Sequence, residues 1–272
     1  MTDPAGLTPT VDAHRLAESI RRPGGIYTQV EVVADTGSTN ADLAAAARTD
    51  PAAGRVLVSD HQSAGRGRRN RGWSAAPGTS QAISVSWRPS RTEQWSWLSL
   101  ILGIAVADTA RAVGVAAGLK WPNDVLVGGA STADTGRKLA GLLSERVDTA
   151  DGAVCVLGIG LNTTATQADL PVPTATSLAL AGAPHLDVTA VVSDLLVRLE
   201  KLLLWWESGE QDDLLLDLYR NRCTTLGRQV RVDLGQGHLV GEAVRIDTDG
   251  SLVVRAEGHD HTVVAGDVVH LR

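Results

Sequence analysis

The run Gly65-Arg66-Gly67-Arg68-Arg69-Asn70-Arg71-Gly72-Trp73 separates two stretches, residues 55–59 and 81–87, whose patterns set the fold around it. Val56, Leu57 and Val58 form a short apolar run in the first, and Ile83, Val85 and Trp87 alternate with Ser84 and Ser86 in the second, so both predict β-strands. The connection between them holds four arginines, Arg66, Arg68, Arg69 and Arg71, spaced by glycines. Glycine lets a backbone approach an anion closely, and guanidinium forks grip carboxylate or phosphate oxygens in pairs. By composition this is an anion clamp, although a solvated basic loop or a nucleic-acid arm has the same composition. The GxxxxGK[ST] spacing of a nucleotide P-loop is missing.

Outward from this loop the chain reads as strands and helices of mixed order. Residues 11–22 carry the apolar spacing of a short helix that Pro23, Gly24 and Gly25 stop, and residues 27–34 alternate as a strand. Gly37-Ser38-Thr39-Asn40 leads into an Ala-rich helix over residues 41–47, with Thr39 and Asp42 in an N-cap pattern. Residues 95–113 predict a long helix with one apolar stripe and Thr92 as its candidate cap. A strand ends at Lys120 and Trp121, a polar connection covers residues 128–136, and strands follow at 138–146 and 153–161, then helices at 187–206 and 211–219. From residue 223 the texture changes to five short β-rich runs with turn residues between them, which predicts a small β-barrel. The fold class is α+β: a mixed β-sheet domain covered by helices over residues 1–222, then a small β-barrel over residues 223–272.

Composition excludes whole classes of function. The 272 residues are 43% hydrophobic and 21% charged, the mix of a folded globular protein. A net charge of -6 argues against a surface built to grip nucleic acid or anionic membrane. No apolar run approaches the ~20 residues of a membrane span. Residues 1–12 lack the pattern of a secretory signal, and Cys155 and Cys223 have no CxxC partner, so both read as thiols of a reducing cytoplasm. His259-Asp260-His261 reads as a solvent-facing pair rather than a metal site, and Trp205-Trp206 as core and interdomain packing. Only three of the 25 basic residues are lysine: Lys120, Lys138 and Lys201. Two of them stand at strand tips, where a compact point charge differs from a guanidinium fork.

Three further motifs offer chemistry. Lys120-Trp121-Pro122-Asn123-Asp124 sets an ammonium, an amide and a carboxylate at one strand tip, which suits phosphates and a metal ion as well as an ordinary turn. In the run from Lys138 to Glu145 (KLAGLLSE), Lys138 opens an apolar strand and Gly141 implies a close neighbour. Gly158-Ile159-Gly160-Leu161-Asn162 is a buried strand with a GxG too short for a dinucleotide motif.

Taken in order, STN at 38–40, QSAGRGRRNRGW at 62–73, KWPND at 120–124, KLAGLLSE at 138–145 and GIGLN at 158–162 resemble the catalytic domain of the biotin protein ligases. The tail from residue 223 is similar to the SH3-like domain that follows it in that family. The resemblance implies an ATP- and Mg²⁺-dependent ligase that forms biotinyl-5′-AMP and then passes biotin to a lysine of a biotin carboxyl carrier domain of acyl-CoA carboxylases. It implies biotin contacts from Ser38, Thr39, Asn40, Gln62, Gly65, Arg66, Gly67, Arg68 and Lys138, and nucleotide contacts from Arg66, Arg68, Arg69, Trp73, Asn123, Lys138 and Asn162. Asp124 is the implied Mg²⁺ ligand, and Lys138, Arg66 and Arg68 are the implied catalytic groups. Pressing a carboxylate onto a phosphate requires fixed cations in a site closed to water, and these three supply them.

Asn70 departs from the glycine that the family carries there, and fewer than 40 residues precede Ser38, which implies the form without an N-terminal DNA-binding domain. The expectation is therefore a cytoplasmic enzyme with no nucleic-acid or membrane partner, as a monomer or weak homodimer. The rival readings are a lipoate or octanoate ligase or transferase of similar architecture, and a non-catalytic nucleic-acid-binding module built on the arginine run.

Overall fold

The structure, a computed structural model, describes residues 10–50, 53–91, 93–128, 136–235 and 237–271. Thr92, the expected helix cap, and nearly all of the polar connection at 128–136 lie outside the described residues, as does the side chain of Asn70.

Seven strands form the first sheet: β1 (Gln29–Val33), β2 (Arg55–Ser59), β3 (Ser80–Trp87), β4 (Ala117–Lys120), β5 (Asp124–Val127), β6 (Arg137–Thr149) and β7 (Gly152–Asn162), in the order β1-β2-β3-β7-β6-β5-β4. β1 and β2 are parallel and the other neighbours antiparallel, the mixed sheet expected. Each face has its own core. On one lie α3 (Ser96–Ala112) and α4 (Val188–Ser208), flanked by α1 (Ala13–Ile20) and α5 (Asp212–Arg220). On the other, α2 (Thr39–Thr49) packs Leu43, Ala44 and Ala47 onto Leu57, Val147, Val154 and Val156. The helix α3 carries more than the expected stripe: Leu98, Ile101 and Leu102 are buried, and so are Leu100, Ile104 and Val106. It lies between the sheet and α4 and α5, so no broad face of it meets water.

The cap of α2 also differs from expectation. Ser38, with extended φ −163° and ψ 121°, is the N-cap and accepts from the Ala41 N–H at 3.4 Å. A capping residue must stand outside the helical conformation, and Thr39 is already the first helical residue. The Thr39 hydroxyl is thereby released for other partners.

β8 (Gln229–Gly235), β9 (Gly237–Ile246), β10 (Leu252–Ala256), β11 (His259–Val263) and β12 (Asp267–His270) form a second, antiparallel sheet in the order β11-β10-β9-β8-β12. These are the five short strands of the small barrel expected, and among the described residues the end strands do not pair, so the barrel is open. Gly266 and Asp267, where β12 begins, are occupied by the arginine loop of the first sheet. The two sheets are tied at β4: Leu119 donates to Arg222 O at 2.8 Å and accepts from the Thr224 N–H at 2.7 Å. From α3, Trp97 Nε1 donates to Thr248 O at 2.9 Å.

His259, Asp260 and His261 are exposed, with Asp260 paired to Arg245 and Arg255. Trp206 is fully buried, edge-on to Trp87 at 5.9 Å, and so packs against β3 rather than at the seam between the sheets. Cys155 is buried, which pushes its thiol pKa up, Cys223 is half-buried, and both are free thiols. Among the described residues no helix is long and apolar enough to cross a membrane.

His270 makes the seam pH-sensitive. Its Nε2 faces Thr225 Oγ1 at 3.1 Å, and burial, with help from Lys120 and Arg228, lowers its pKa from 6.5 to about 4. The unfolded chain takes up this proton below the ordinary histidine pKa, while the folded chain refuses it until about pH 4. Stability contributed by the neutral ring is complete above the unfolded pKa and falls through that window, by up to about 3 kcal/mol. Urea midpoints between pH 7 and 4 should therefore fall less steeply in His270→Gln than in the wild type; equal slopes would overturn the assignment.

Candidate active site

A cavity of about 160 Å³ opens on the α2 side of the first sheet. Its walls are the first turn of α2, the arginine loop, the Asn123-Asp124 turn and the glycine-bearing stretches of β6 and β7.

One end is lined by the neutral side chains of Gln62, Thr39 and Asn40, linked by hydrogen bonds. Gln62 Oε1 accepts from the Thr39 N–H at 2.8 Å and lies 3.1 Å from Thr39 Oγ1. Ser84 Oγ lies 2.7 Å from Thr39 Oγ1 and 2.6 Å from Asn40 Oδ1. Asn40 Nδ2 donates to Glu145 Oε2 at 2.8 Å, and Arg66 Nη2 donates to the same oxygen at 3.0 Å. Gly158 makes this possible, because a Cβ there would lie 2.1 Å from Asn40 Oδ1.

The floor is a second glycine device. Gly141 and Gly160 are paired across β6 and β7, and the Trp73 indole lies on them: a Cβ on Gly160 would stand 2.4 Å from Trp73 Cε2. Lys138 Nζ sits 5.7 Å from the centre of that ring, within cation–π range.

Lys138 reaches the cavity through a break in strand register. Counting back from Gly141 by alternation puts Lys138 on the far face with Ala140 and Leu142. In the structure Val125 pairs with Ala140 and Leu126 with Lys138, so Leu139 is the extra residue of a bulge. Leu139 and Ala140 both enter the core, and Lys138 turns to the cavity, where its Nζ lies 2.7 Å from Asp124 Oδ1. Lys120 Nζ stands 3.8 Å from the other Asp124 oxygen, and burial lowers its pKa.

The arginine loop is a small hairpin. Trp73 N–H donates to Gly65 O at 2.9 Å and Gly67 N–H to Arg71 O at 2.7 Å. Gly65 is needed, since a Cβ there would stand 2.4 Å from Trp73 O. At its tip Arg69 has φ 52°, a left-handed conformation that costs a non-glycine residue roughly 1–2 kcal/mol. The second sheet holds that tip: Arg71 Nη2 lies 2.7 Å and Arg69 Nη1 3.4 Å from the Asp267 carboxylate, and Arg68 Nη1 donates to Gly266 O at 3.2 Å. Burial lowers the Arg68 pKa, yet a guanidinium remains a cation at neutral pH. Arg66, Arg68, Arg71 and Lys138 line the cavity against the single carboxylate of Asp124 among the described residues, so the site attracts anions.

Of the candidates, Ser38, Thr39, Asn40, Gln62, Arg66, Gly67, Arg68, Trp73, Asn123, Asp124 and Lys138 are brought together around this cavity. Gly65 and Arg69 line an adjoining pocket along the same loop, and the buried Asn162 amide donates to Thr176 O at 2.9 Å beside the strand end. Asn123 also serves the frame, donating to Leu142 O at 2.8 Å. Sequence reasoning missed Ser84, Glu145, Asp267 and the cavity-lining role of Arg71. The regular Ser84/Ser86 alternation and the terminal glutamate of KLAGLLSE were the available signals, whereas nothing local points from Asp267 to a loop nearly two hundred residues earlier.

Residues 34–162 match the Biotin/lipoate A/B protein ligase family and residues 225–271 the biotin protein ligase C-terminal domain. The chain is 42% identical to the Biotin--[acetyl-CoA-carboxylase] ligase of Mycobacterium tuberculosis over 100% of both chains. It is 28% identical to the bifunctional ligase/repressor BirA of Bacillus subtilis, over 88% of this chain and 72% of that one. The solved biotin protein ligase from Aquifex aeolicus in complex with biotin and ATP shares the fold, with a TM-score of 0.75 and 24% identity over 90% of this chain and 100% of that one. With its motifs folded into one anion-attracting cavity and its relationship running the full length of the chain, this protein belongs to the biotin protein ligase family.

Proposed function

We propose that this chain joins biotin to ATP and then transfers it to the lysine of a biotin carboxyl carrier domain of an acyl-CoA carboxylase, in the cytoplasm. The observation that carries the reading is the polarity of the cavity: a neutral hydrogen-bonded end at Gln62, Thr39 and Asn40, and a cationic end at Arg66, Arg68 and Lys138. A ureido ring with an acid tail has the matching polarity. The biotin carboxylate oxygen attacks the α-phosphorus of ATP and pyrophosphate leaves; the acceptor amine then attacks the anhydride carbonyl and AMP leaves. Lys138, Arg66 and Arg68 screen the repulsion of the two anions in the first step. Ser38, Gly65 and Gly67 complete the biotin contacts, and Asn123, Arg69 and Asn162 serve the nucleotide.

No group of three or more metal-binding side chains occurs among the described residues. Asp124 alone still fits Mg²⁺, which binds through one or two carboxylates together with substrate phosphates. When bound, the ion neutralises phosphate charge; Asp124 would hold it. The Trp73 ring lies where ligand must enter, so its hairpin opens and then covers the intermediate. The boundary near residue 222 separates the catalytic sheet from a sheet that braces this hairpin through Asp267.

Biotin-dependent exchange of labelled pyrophosphate into ATP tests the first step without the acceptor. Exchange with biotin supports the reading, exchange only with lipoate or octanoate moves the chain to the sister activity, and none with any acid defeats it. Arg68→Ala should release biotinyl-5′-AMP faster by about tenfold or more, because a buried charge-assisted contact is lost. Trapping the released adenylate measures this, and an unchanged release rate would remove Arg68 from the cover.

A further inference from the structure

The neutral end of the cavity, Gln62–Thr39–Ser84–Asn40, is joined through Glu145 to Arg66 at the cationic end, one hydrogen-bonded circuit that leaves the arginine-loop segment at residue 62 and returns to it at residue 66. Counting its hydrogens shows that it has a direction. An ionised carboxylate only accepts, so Glu145 obliges Asn40 to present its amide N–H and leaves Asn40 Oδ1 toward Ser84. Asn40 Oδ1 also only accepts, so the single Ser84 hydrogen goes to it. The Ser84–Thr39 contact at 2.7 Å then takes its hydrogen from Thr39. Gln62 Oε1 accepts from the Thr39 N–H at 2.8 Å, and its longer 3.1 Å contact with Thr39 Oγ1 carries no hydrogen once that hydrogen is committed to Ser84 at 2.7 Å. Thr39 Oγ1 is left with lone pairs for the cavity, and Gln62 Nε2 with hydrogens.

We propose that Glu145 is the positioning residue of the biotin site, its acceptor oxygen fixing the direction of hydrogens through Asn40 and Ser84 so that Thr39 offers an acceptor and Gln62 a donor to the ureido ring. The proposal rests on the functional reading above. Asn40 and Ser84 are buried, so water cannot repair a reversed or broken link. Glu145 also pairs with Arg66, and a test must separate the two duties.

Glu145→Leu removes the acceptor, and Glu145→Gln keeps an acceptor oxygen while removing the charge. In pyrophosphate exchange, Glu145→Leu should raise the biotin KM about tenfold with kcat changed less than about threefold, the pattern of lost ground-state binding. Glu145→Gln should stay within about threefold of wild type in both, since a carbonyl oxygen still sets the direction. Ser84→Ala cuts the same circuit, so it should raise the biotin KM similarly, and the double variant Ser84→Ala/Glu145→Leu should be no worse than about twofold beyond the larger single effect. An unchanged KM in Glu145→Leu or Ser84→Ala overturns the proposal. So does a Glu145→Gln variant as impaired as Glu145→Leu, which would assign the effect to charge on Arg66, or independent, multiplying effects in the double variant. If Glu145→Leu does not fold, Ser84→Ala and Glu145→Gln decide by the same criteria. Failure of wild-type exchange with biotin would instead defeat the functional reading itself.

Discussion

Lys138→Ala should slow biotin-dependent pyrophosphate exchange by roughly 10²-fold or more, the loss typical of removing one preorganised group from a site of developing charge. The bulge at Leu139 turns Lys138 to the cavity, and Asp124 Oδ1 at 2.7 Å holds its ammonium there before ligand arrives. Placement before reaction is what makes a fixed charge effective, because no reorganisation remains for the reacting state. Lys138→Arg should not restore the rate: a planar fork on a longer stem cannot place one point charge beside Asp124 and over the Trp73 ring at 5.7 Å. Measured under saturating biotin and ATP, the loss should fall in kcat rather than KM, and a Lys138→Ala rate within about threefold of wild type would remove Lys138 from the reaction.

Trp121→Ala should lower folding stability by about 3–5 kcal/mol, the range for deleting a large buried aromatic. Trp121 is 2% exposed, and it spans the seam between the sheets. Its Nε1 donates to Gly250 O at 3.0 Å and its backbone N–H to Thr225 Oγ1 at 3.1 Å. Alanine would leave a cavity and an unpaired Gly250 carbonyl together. The same residue begins the turn that carries Asn123 and Asp124, so exchange activity should fall as well. Urea unfolding followed by tryptophan fluorescence measures the change, and a loss under about 1 kcal/mol would show that the seam does not depend on this side chain.

The parts of the site legible in the sequence share a physical basis. The glycine-spaced arginines of residues 65–73, the apolar strands around them and the turn at Pro122-Asn123-Asp124 are local patterns, decided by backbone freedom and by alternation within one segment. The same local logic misplaced the cap, since Ser38 and Thr39 are chemically alike and only the backbone angle selects Ser38. It found the five short strands of the small barrel, but not that the barrel is open or that its β12 end meets the arginine loop.

The sequence by itself determined most of the strands and helices, though not β5, that a glycine-spaced arginine loop lies between β2 and β3, and which family the ordered motifs resemble. Tertiary structure alone decided that Lys138 faces the cavity, because the face a side chain takes depends on its pairing register, and one extra residue at Leu139 reverses it. It alone joined Asn40 to Glu145 and Arg69 and Arg71 to Asp267, partners 105, 198 and 196 residues apart. Buried or desolvated polar groups must find partners wherever the fold brings them, and no pattern within a segment encodes a hydrogen bond that closes across the whole chain.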